Sequence, residues 1–356
     1  MTVSPWLTLL LALPVLLSGE WTVNRVGIFS RFNIPAPVVG GLLVSLVVLL
    51  GNITGFFPML FETKVTAQWW TWLVTIGPEW VKSPAKAVNM PFLVAFFTSI
   101  GLNASWLLVK RGSVQVFVFL VLAAVLAVIQ NCIAVGLAKA MGASPLLGLM
   151  CGSVTMTGGH GTALGFAAEF EKAGLEAAGV VGVAAATFGL VAGGLLGGPV
   201  GGRLIRRNKL VSSATSTIHL ESGMGGRSGI LADIGALRAG GKSLLLHFVL
   251  LMVCIKLGAW VSCFIQMSGI TFPVYIGAML VGLAVRNSLD LAGARWIRTE
   301  HIDLLGSIAL GFFLSTAMMS LNLIELAGTA LPMLVILVVQ VCVMGVFAWF
   351  VTFRFM

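Results

Sequence analysis

The chain has 356 residues, of which 58% are hydrophobic and only 9% are charged. Soluble domains carry roughly 25% charged residues, so this composition excludes an ordinary soluble protein and predicts a polytopic membrane protein. The formal net charge of +9 does not indicate nucleic-acid binding, because aromatic and basic residues are not interleaved along any polar segment. We interpret the charge as a signal of orientation in the bilayer.

Apolar runs in the first half of the chain predict five membrane spans, at residues 7–18, 37–57, 88–109, 114–137 and 175–200. The first is predicted to be a retained helix rather than a signal peptide, because no Lys or Arg precedes it and no cleavage motif follows it. Gly40 and Gly41, in the second, predict close packing against another helix. Four tryptophans after the second span predict a segment at the headgroup level, with an aromatic binding site as the alternative: Trp69, Trp70, Trp72 and Trp80.

Residues 147–166 interrupt this pattern of uniform spans. The segment LGLMCGSVTMTGGHGTALGF is long enough to enter a bilayer, but Gly158, Gly159 and Gly161 surround His160 in its middle. Three glycines in four residues disfavour a regular helix. Unwound backbone is tolerated at membrane depth only where protein buries it or water reaches it. We therefore predict a re-entrant broken hairpin at 147–168 that forms a binding site.

A polar, basic segment at 201–243 predicts a linker that divides the chain in two. Four further spans are predicted after it, at 244–266, 272–285, 304–323 and 331–352. With the N-terminus outside, the predicted inner loops contain fifteen Lys and Arg residues and the outer loops contain five. This excess predicts an external N-terminus and a cytoplasmic linker.

Three polar residues lie inside predicted spans and are candidates for function. Asn103 and Asn131 carry amides that need partners in lipid, so both are predicted to face the helix bundle. Each amide either contacts a ligand or forms only hydrogen bonds between helices. Lys256 is twelve residues into an apolar run, where a cation is a functional candidate by default. Its long stem could instead reach the interface or pair at a subunit contact.

The two halves share short motifs in the same order. Residues 37–43 resemble 273–279, residues 99–103 resemble 318–322, and 129–132 resemble 339–342. Five spans in the first half reverse the orientation of the second, so this pattern predicts an inverted repeat. Residues 1–200 form the first repeat and 244–356 the second.

The repeat also predicts that the second copy is incomplete. By the pairing of Gln130 with Gln340, residue Met356 matches Leu146, which directly precedes the first hairpin. Either the chain is truncated or one hairpin suffices, and we favour truncation. The predicted fold class is therefore an all-α polytopic membrane protein with inverted five-helix repeats, the second of them incomplete.

At these residues the chain resembles the sodium/glutamate symporter family of bacterial inner membranes. The resemblance rests on four motifs: PAP at 35–37 with GGLL at 40–43, AFF at 95–97 with IGLN at 100–103, GGHGT at 158–162, and TFGL at 187–190 with the glycines that follow. It implies two inverted five-helix repeats with a hairpin in each, sodium-coupled uptake of L-glutamate, a homodimer and an elevator-like alternating access. Thr157 and Ala163 stand where the family usually has Ser and Gly, and the family's second hairpin has no counterpart before residue 356. A carrier of another small carboxylate, or a transport-incompetent truncated product, is the alternative.

Helix termini inside the hairpin suggest its chemistry. A half-helix that starts near Gly161 presents free N–H groups to a substrate carboxylate. Free carbonyls at the end of the other half, with the hydroxyl of Thr155 or Thr157, suit Na⁺. His160 either donates to the carboxylate or ties the loop together. The predicted substrate-binding residues are Gly158, Gly159, His160, Gly161, Thr162, Asn103 and Lys256.

Other function classes fit the sequence less well. The five cysteines and four histidines show no metal-ligand spacing, so no cofactor is predicted beyond Na⁺ as coupling ion. An enzyme would need a nucleophile with a base, and the spans contain no paired carboxylates. A channel would need a continuous pore with charged rings, which the sequence does not indicate.

Overall fold

The computed structural model describes residues 2–27, 29, 34–55, 59–65, 67–76, 87–175, 177–208, 241–268, 273–293, 296–321, 323 and 328–355. Two short parallel strands, β1 (Thr2–Val3) and β2 (Leu60–Phe61), pair with Thr2 opposite Leu60. The helices of the first half are α1 (Pro5–Arg25), α2 (Ala36–Thr54), α3 (Gln68–Trp72), α4 (Met90–Asn103), α5 (Trp106–Ala140), α6 (Pro145–Leu149), α7 (Gly159–Lys172) and α8 (Ala178–Asn208). Those of the second half are α9 (Gly241–Met267), α10 (Val274–Leu291), α11 (Thr299–Met319), α12 (Ala330–Phe347) and α13 (Phe353–Phe355).

The described chain contains eight helices that are long and apolar enough to cross a membrane. They arise because runs of about 20 apolar residues can satisfy their backbone hydrogen bonds in lipid only as helices. This finding confirms the predicted all-α polytopic membrane protein. Helix α4, with 14 residues, is shorter than a full span.

The first of two compact units comprises Met1–Arg25, Ala36–Arg111 and Arg227–Leu321. Within it α1 packs against α2, α9 packs against α10, and α4 packs against both α10 and α11. The contact of α4 with α10 depends on Gly101, where a β-carbon would overlap the carbonyl oxygen of Met279. Gly41 packs equally closely on α11, since a β-carbon there would overlap Met318, and this confirms the close packing predicted for Gly41.

The second unit comprises Val26–Pro35, Gly112–Gly226 and Asn322–Met356. Helix α7 packs along α8, and α12 packs against α8. The core of this unit is built from small and flexible apolar side chains of α5, the hairpin, α8 and α12, including Ala134, Met150, Ala163, Ala185 and Ile336. Small residues let the hairpin backbone approach its neighbours closely, which fixes the hairpin in place.

Two helix boundaries in the first half correct the sequence prediction. The predicted span 88–109 corresponds to the shorter α4, and the predicted loop at 110–113 is part of helix α5. The helix is interrupted earlier, at Ala104. There Asn287 of α10 accepts a hydrogen bond from the backbone N–H of Trp106 (2.6 Å) and donates one to the carbonyl of Ala104 (3.1 Å). Basic side chains alone do not end a helix, because its backbone hydrogen bonds remain satisfied internally.

Two other predicted segments are described only in part. Helix α8 continues to Asn208 and α9 begins at Gly241, so both ends of the predicted linker are helical. The rest of the linker lies outside the described residues, as does Trp80 of the predicted headgroup segment. Trp69 of that segment stacks on Trp6, with 5.4 Å between ring centroids.

Candidate functional site

In the predicted hairpin segment, the chain forms two helical pieces separated by a turn. The hydroxyl of Ser144 accepts a hydrogen bond from the backbone N–H of Leu146 (3.3 Å), and α6 then begins at Pro145. A π-helical turn follows at Met150–Val154, in which Gly152 has φ −87° and ψ −138°, outside the helical range. The second half is α7, which begins at the glycine run. The break is therefore where the sequence predicts it, although the irregular backbone already starts at Gly152.

Asn131 of α5 holds the first part of this break. Its Oδ1 accepts a hydrogen bond from the backbone N–H of Ser153 at 2.9 Å. A β-carbon on Gly152 would lie 2.5 Å from the same oxygen, so a larger residue there would displace the amide. The predicted orientation of Asn131 toward the bundle is confirmed, and the amide forms a hydrogen bond between two elements of the second unit.

The tip of the hairpin is a tight turn at Thr157 and Gly158. The backbone N–H groups of these two residues donate to the carbonyl of Ser153, at 3.1 and 3.0 Å. Gly159 then has φ +71°, and a β-carbon there would meet no described atom within 4 Å. Among the described residues, no side chain caps the start of α7. Its first turn therefore offers backbone N–H groups that the helix itself does not use.

Three threonine hydroxyls lie in the hairpin. Thr155 is buried and donates its hydroxyl hydrogen to the carbonyl of Met150 at 2.7 Å. Thr157 is exposed and donates to Oε1 of Gln130 at 2.8 Å. The hydroxyl of Thr162 lies over Gly158, since a β-carbon on Gly158 would overlap it. The structure thus brings the predicted residues 155–162 together in one short hairpin.

His160 connects the hairpin to α8. Its Nε2 lies 2.9 Å from the hydroxyl oxygen of Thr187, and that hydroxyl donates to the carbonyl of Val183 at 2.8 Å. A hydroxyl has one hydrogen, so Thr187 accepts from His160, and the hydrogen of the neutral imidazole is assigned to Nε2. His160 therefore ties the loop to the bundle, and its Nδ1 remains an acceptor.

Sequence reasoning did not assign Gln130 or Thr187 to the site. Both residues occur in motifs that the sequence analysis had noted for other reasons, namely the repeat at 129–132 and the TFGL run at 187–190. Each is a polar residue inside an apolar span that flanks the hairpin, and this feature could have identified both as candidates. Their pairing with Thr157 and His160 depends on three-dimensional contacts that spacing alone does not encode.

The structure assigns Asn103 and Lys256 to the first unit and the hairpin to the second. Asn103 donates its amide hydrogen to Oδ1 of Asp303 at 2.5 Å, so its predicted orientation toward the bundle is confirmed. Lys256 donates to the carbonyls of Trp72 and Thr75, at 2.6 and 2.8 Å. The ammonium also lies 3.7 Å from the ring centroid of Trp72. A substrate role for either residue stays a prediction, while these contacts give Lys256 a structural role at the end of α3.

Replacing Lys256 by methionine is expected to loosen the segment 67–76 without changing the hairpin. The two hydrogen bonds from the ammonium are lost, and hydrogen bonds to charged groups contribute about 1.5–3 kcal/mol. Backbone hydrogen exchange in 67–76 should accelerate about tenfold or more, since 1.36 kcal/mol corresponds to a factor of ten. Lys139→Met, at an exposed lysine near the end of α5, is the matched control. Unchanged hydrogen exchange in Lys256→Met would contradict the structural role of this lysine.

The hairpin offers neutral oxygen ligands. Within the described residues, no three His, Cys, Asp or Glu side chains are close enough to hold a metal ion. The available groups at the hairpin are hydroxyls, side-chain amides and backbone carbonyls, a set that suits an alkali cation.

Comparison with known proteins identifies the family of the chain. A family model described as sodium/glutamate symporter matches residues 1–78 and 82–356. The sodium/glutamate symporter of Haemophilus influenzae is 33% identical over 364 residues, which cover 100% of this chain and 81% of the relative. That of Escherichia coli is 33% identical over 350 residues, or 98% of this chain and 80% of the relative. No solved structure matches the chain significantly. The relatives are transporters and not enzymes, and the chain belongs to the sodium/glutamate symporter family.

Proposed function

We propose that the chain is a secondary transporter that couples the uptake of L-glutamate to Na⁺. The observation that carries this proposal is the uncapped start of α7, directly after Gly159 with its left-handed backbone, inside a hairpin packed in an apolar core. Backbone N–H groups at a helix start attract a carboxylate. Such groups provide affinity without a buried basic side chain.

The proposed substrate contacts are the backbone and side chains at the tip. The first turn of α7 binds a substrate carboxylate through the run Gly158, Gly159, His160, Gly161 and Thr162. The hydroxyl oxygens of Thr155 and Thr157 contribute to the Na⁺ site on the other half of the hairpin. Because the carboxylate and the cation bind on two sides of one turn, each lowers the electrostatic cost of binding the other. This arrangement accounts for coupling without a further cofactor.

We further propose an alternating-access, elevator-like cycle in a bacterial inner membrane, carried out by a homodimer with an external N-terminus and a cytoplasmic linker. The orientation rests on the distribution of Lys and Arg between the predicted loops. The dimer and the elevator-like motion rest on family resemblance.

The inverted repeat is also part of the proposal, with residues 1–200 and 244–356 as its two copies. Its support within the first unit is the pairing of helices: α1 packs against α2 just as α9 packs against α10, and α2 contacts α11 just as α10 contacts α4. This is the pattern that two related three-helix segments would produce. Transporters built from inverted repeats carry their substrate sites near the bilayer midplane.

Uptake of labelled L-glutamate into proteoliposomes tests the function. We expect accumulation driven by an inward Na⁺ gradient, abolished when K⁺ replaces Na⁺, and inhibited by unlabelled L-glutamate more strongly than by other small carboxylates. Stronger inhibition by another carboxylate would identify a different substrate with the same mechanism. Uptake that is independent of the Na⁺ gradient would contradict the proposal.

A further inference from the structure

Two buried glutamines support the tip of the hairpin from outside it. Gln130 of α5 is 1% exposed and Gln340 of α12 is 0% exposed. Oε1 of Gln130 accepts the hydroxyl hydrogen of Thr157 at 2.8 Å. The backbone carbonyl of Gln130 accepts a hydrogen bond from Nε2 of Gln340 at 2.6 Å. The three residues form a continuous chain of hydrogen bonds from α12 through α5 to the hairpin.

The direction of these hydrogen bonds determines which part of the Thr157 hydroxyl is free. A hydroxyl has one hydrogen and two lone pairs. Because the hydrogen points at Gln130, the lone pairs point elsewhere and are available to a cation. Without an acceptor at Gln130, the hydroxyl could rotate and turn its hydrogen toward the cation, which would weaken the ion's binding.

Gln340 adds a second, independent observation. Its Oε1 is buried and, across the described residues, has no hydrogen-bond donor. A buried amide oxygen without a donor is unfavourable, and it is a suitable partner for a cation. Its Nε2 donates to the backbone carbonyl of Gln130, the residue whose side chain accepts the hydroxyl hydrogen of Thr157.

We propose that Gln130 and Gln340 are positioning residues that set the affinity of the coupling-ion site by orienting the hydroxyl of Thr157. This inference rests on the proposed Na⁺-coupled function, and it extends that function to two residues outside the hairpin. Gln130 acts directly on the hydroxyl, and Gln340 acts through Gln130. The shared position of the two glutamines in the predicted repeat agrees with a common role in one network.

The test measures the half-saturating Na⁺ concentration for glutamate uptake in Gln130→Met, which keeps the volume but removes the acceptor. We expect this concentration to rise about fivefold, the effect of losing one hydrogen bond, while Vmax at saturating Na⁺ changes by less than about twofold. Gln130→Glu, which retains an oxygen acceptor, should restore Na⁺ affinity. Gln340→Met should show a smaller rise. Gln115→Met, the same substitution at an exposed position of α5, should leave the half-saturating Na⁺ concentration unchanged.

A double substitution separates positioning from general damage. If Gln130 acts through Thr157, then Gln130→Met should add nothing to the effect of Thr157→Val on Na⁺ affinity. Additive effects, or a loss of Vmax with unchanged Na⁺ affinity, would overturn the proposal. If Gln130→Met does not fold, Gln130→Asn, whose shorter side chain cannot reach Thr157, is used in its place.

A second readout keeps the inference distinct from the transport proposal. Na⁺ should raise the melting temperature of the purified wild-type chain, and Gln130→Met should require about fivefold more Na⁺ for the same shift. If the wild type shows this shift but no glutamate uptake, the transport proposal fails and the ion site stands. If Na⁺ stabilises both proteins equally, the role of Gln130 is refuted, whatever the uptake result.

Discussion

Replacing Gly159 by alanine is expected to reduce Na⁺-dependent glutamate uptake about tenfold or more while the protein still folds. Gly159 has φ +71°, a conformation that costs a residue with a β-carbon roughly 1–2 kcal/mol. The position is otherwise open, so alanine meets no clash. The strain favours a different backbone at the tip, which moves the first N–H groups of α7. This displacement weakens carboxylate binding, and 1.36 kcal/mol corresponds to a factor of ten in rate.

Gly142 supplies a matched control for this substitution. It has φ +69°, it lies in the turn between α5 and α6, and a β-carbon there would also meet no described atom within 4 Å. Gly142→Ala therefore carries the same backbone strain outside the proposed site. Thermal melting of the two purified variants should show similar losses of stability, and only Gly159→Ala should lose uptake. Equal uptake by both variants would show that the tip of the hairpin does not bind substrate.

Much of the fold follows from the sequence because the bilayer leaves few alternatives. A run of apolar residues must be helical in lipid, so the existence of the long helices could be predicted from hydrophobicity alone. The hairpin could be predicted for the same reason, since a glycine-rich interruption at membrane depth has to be supported by protein. The structure has a helix interruption at the glycines of 158–161, with α7 starting at Gly159.

The errors arise where a tertiary contact decides the outcome. The end of α4 depends on one hydrogen bond that Asn287 accepts and one that it donates, and this residue is more than 180 positions away in the sequence. Lys110 and Arg111 suggested a loop, but charged residues do not by themselves end a helix. Within the hairpin, the sequence indicated His160 and the threonines, yet their partners Thr187 and Gln130 come from α8 and α5. Local patterns identify polar residues, and only packing identifies their partners.

Replacing Asn131 by leucine is the other change with a large expected effect. It should reduce glutamate uptake about tenfold or more and destabilise the second unit. The backbone N–H of Ser153 donates to Oδ1 of Asn131 because Gly152, with ψ −138°, has turned that N–H away from the regular helical ladder. Leucine has a similar volume but no acceptor, so the N–H would be left without a partner, at a cost of about 1–3 kcal/mol. The backbone would relieve this cost by rewinding toward a regular helix, and rewinding would move Thr155 and Thr157 relative to α7.

Two variants make this interpretation specific. Asn131→Asp keeps the acceptor oxygen, and it should retain more uptake than Asn131→Leu. Asn208→Leu removes an amide whose hydrogen bond stays within α8, to the carbonyl of Leu204 at 2.9 Å, and it should have little effect on uptake. Hydrogen exchange in residues 150–158 should accelerate in Asn131→Leu alone. If that variant transported glutamate normally with unchanged exchange, the break would have to be maintained by Gly152 and the glycine run, and the interhelical amide would serve only packing.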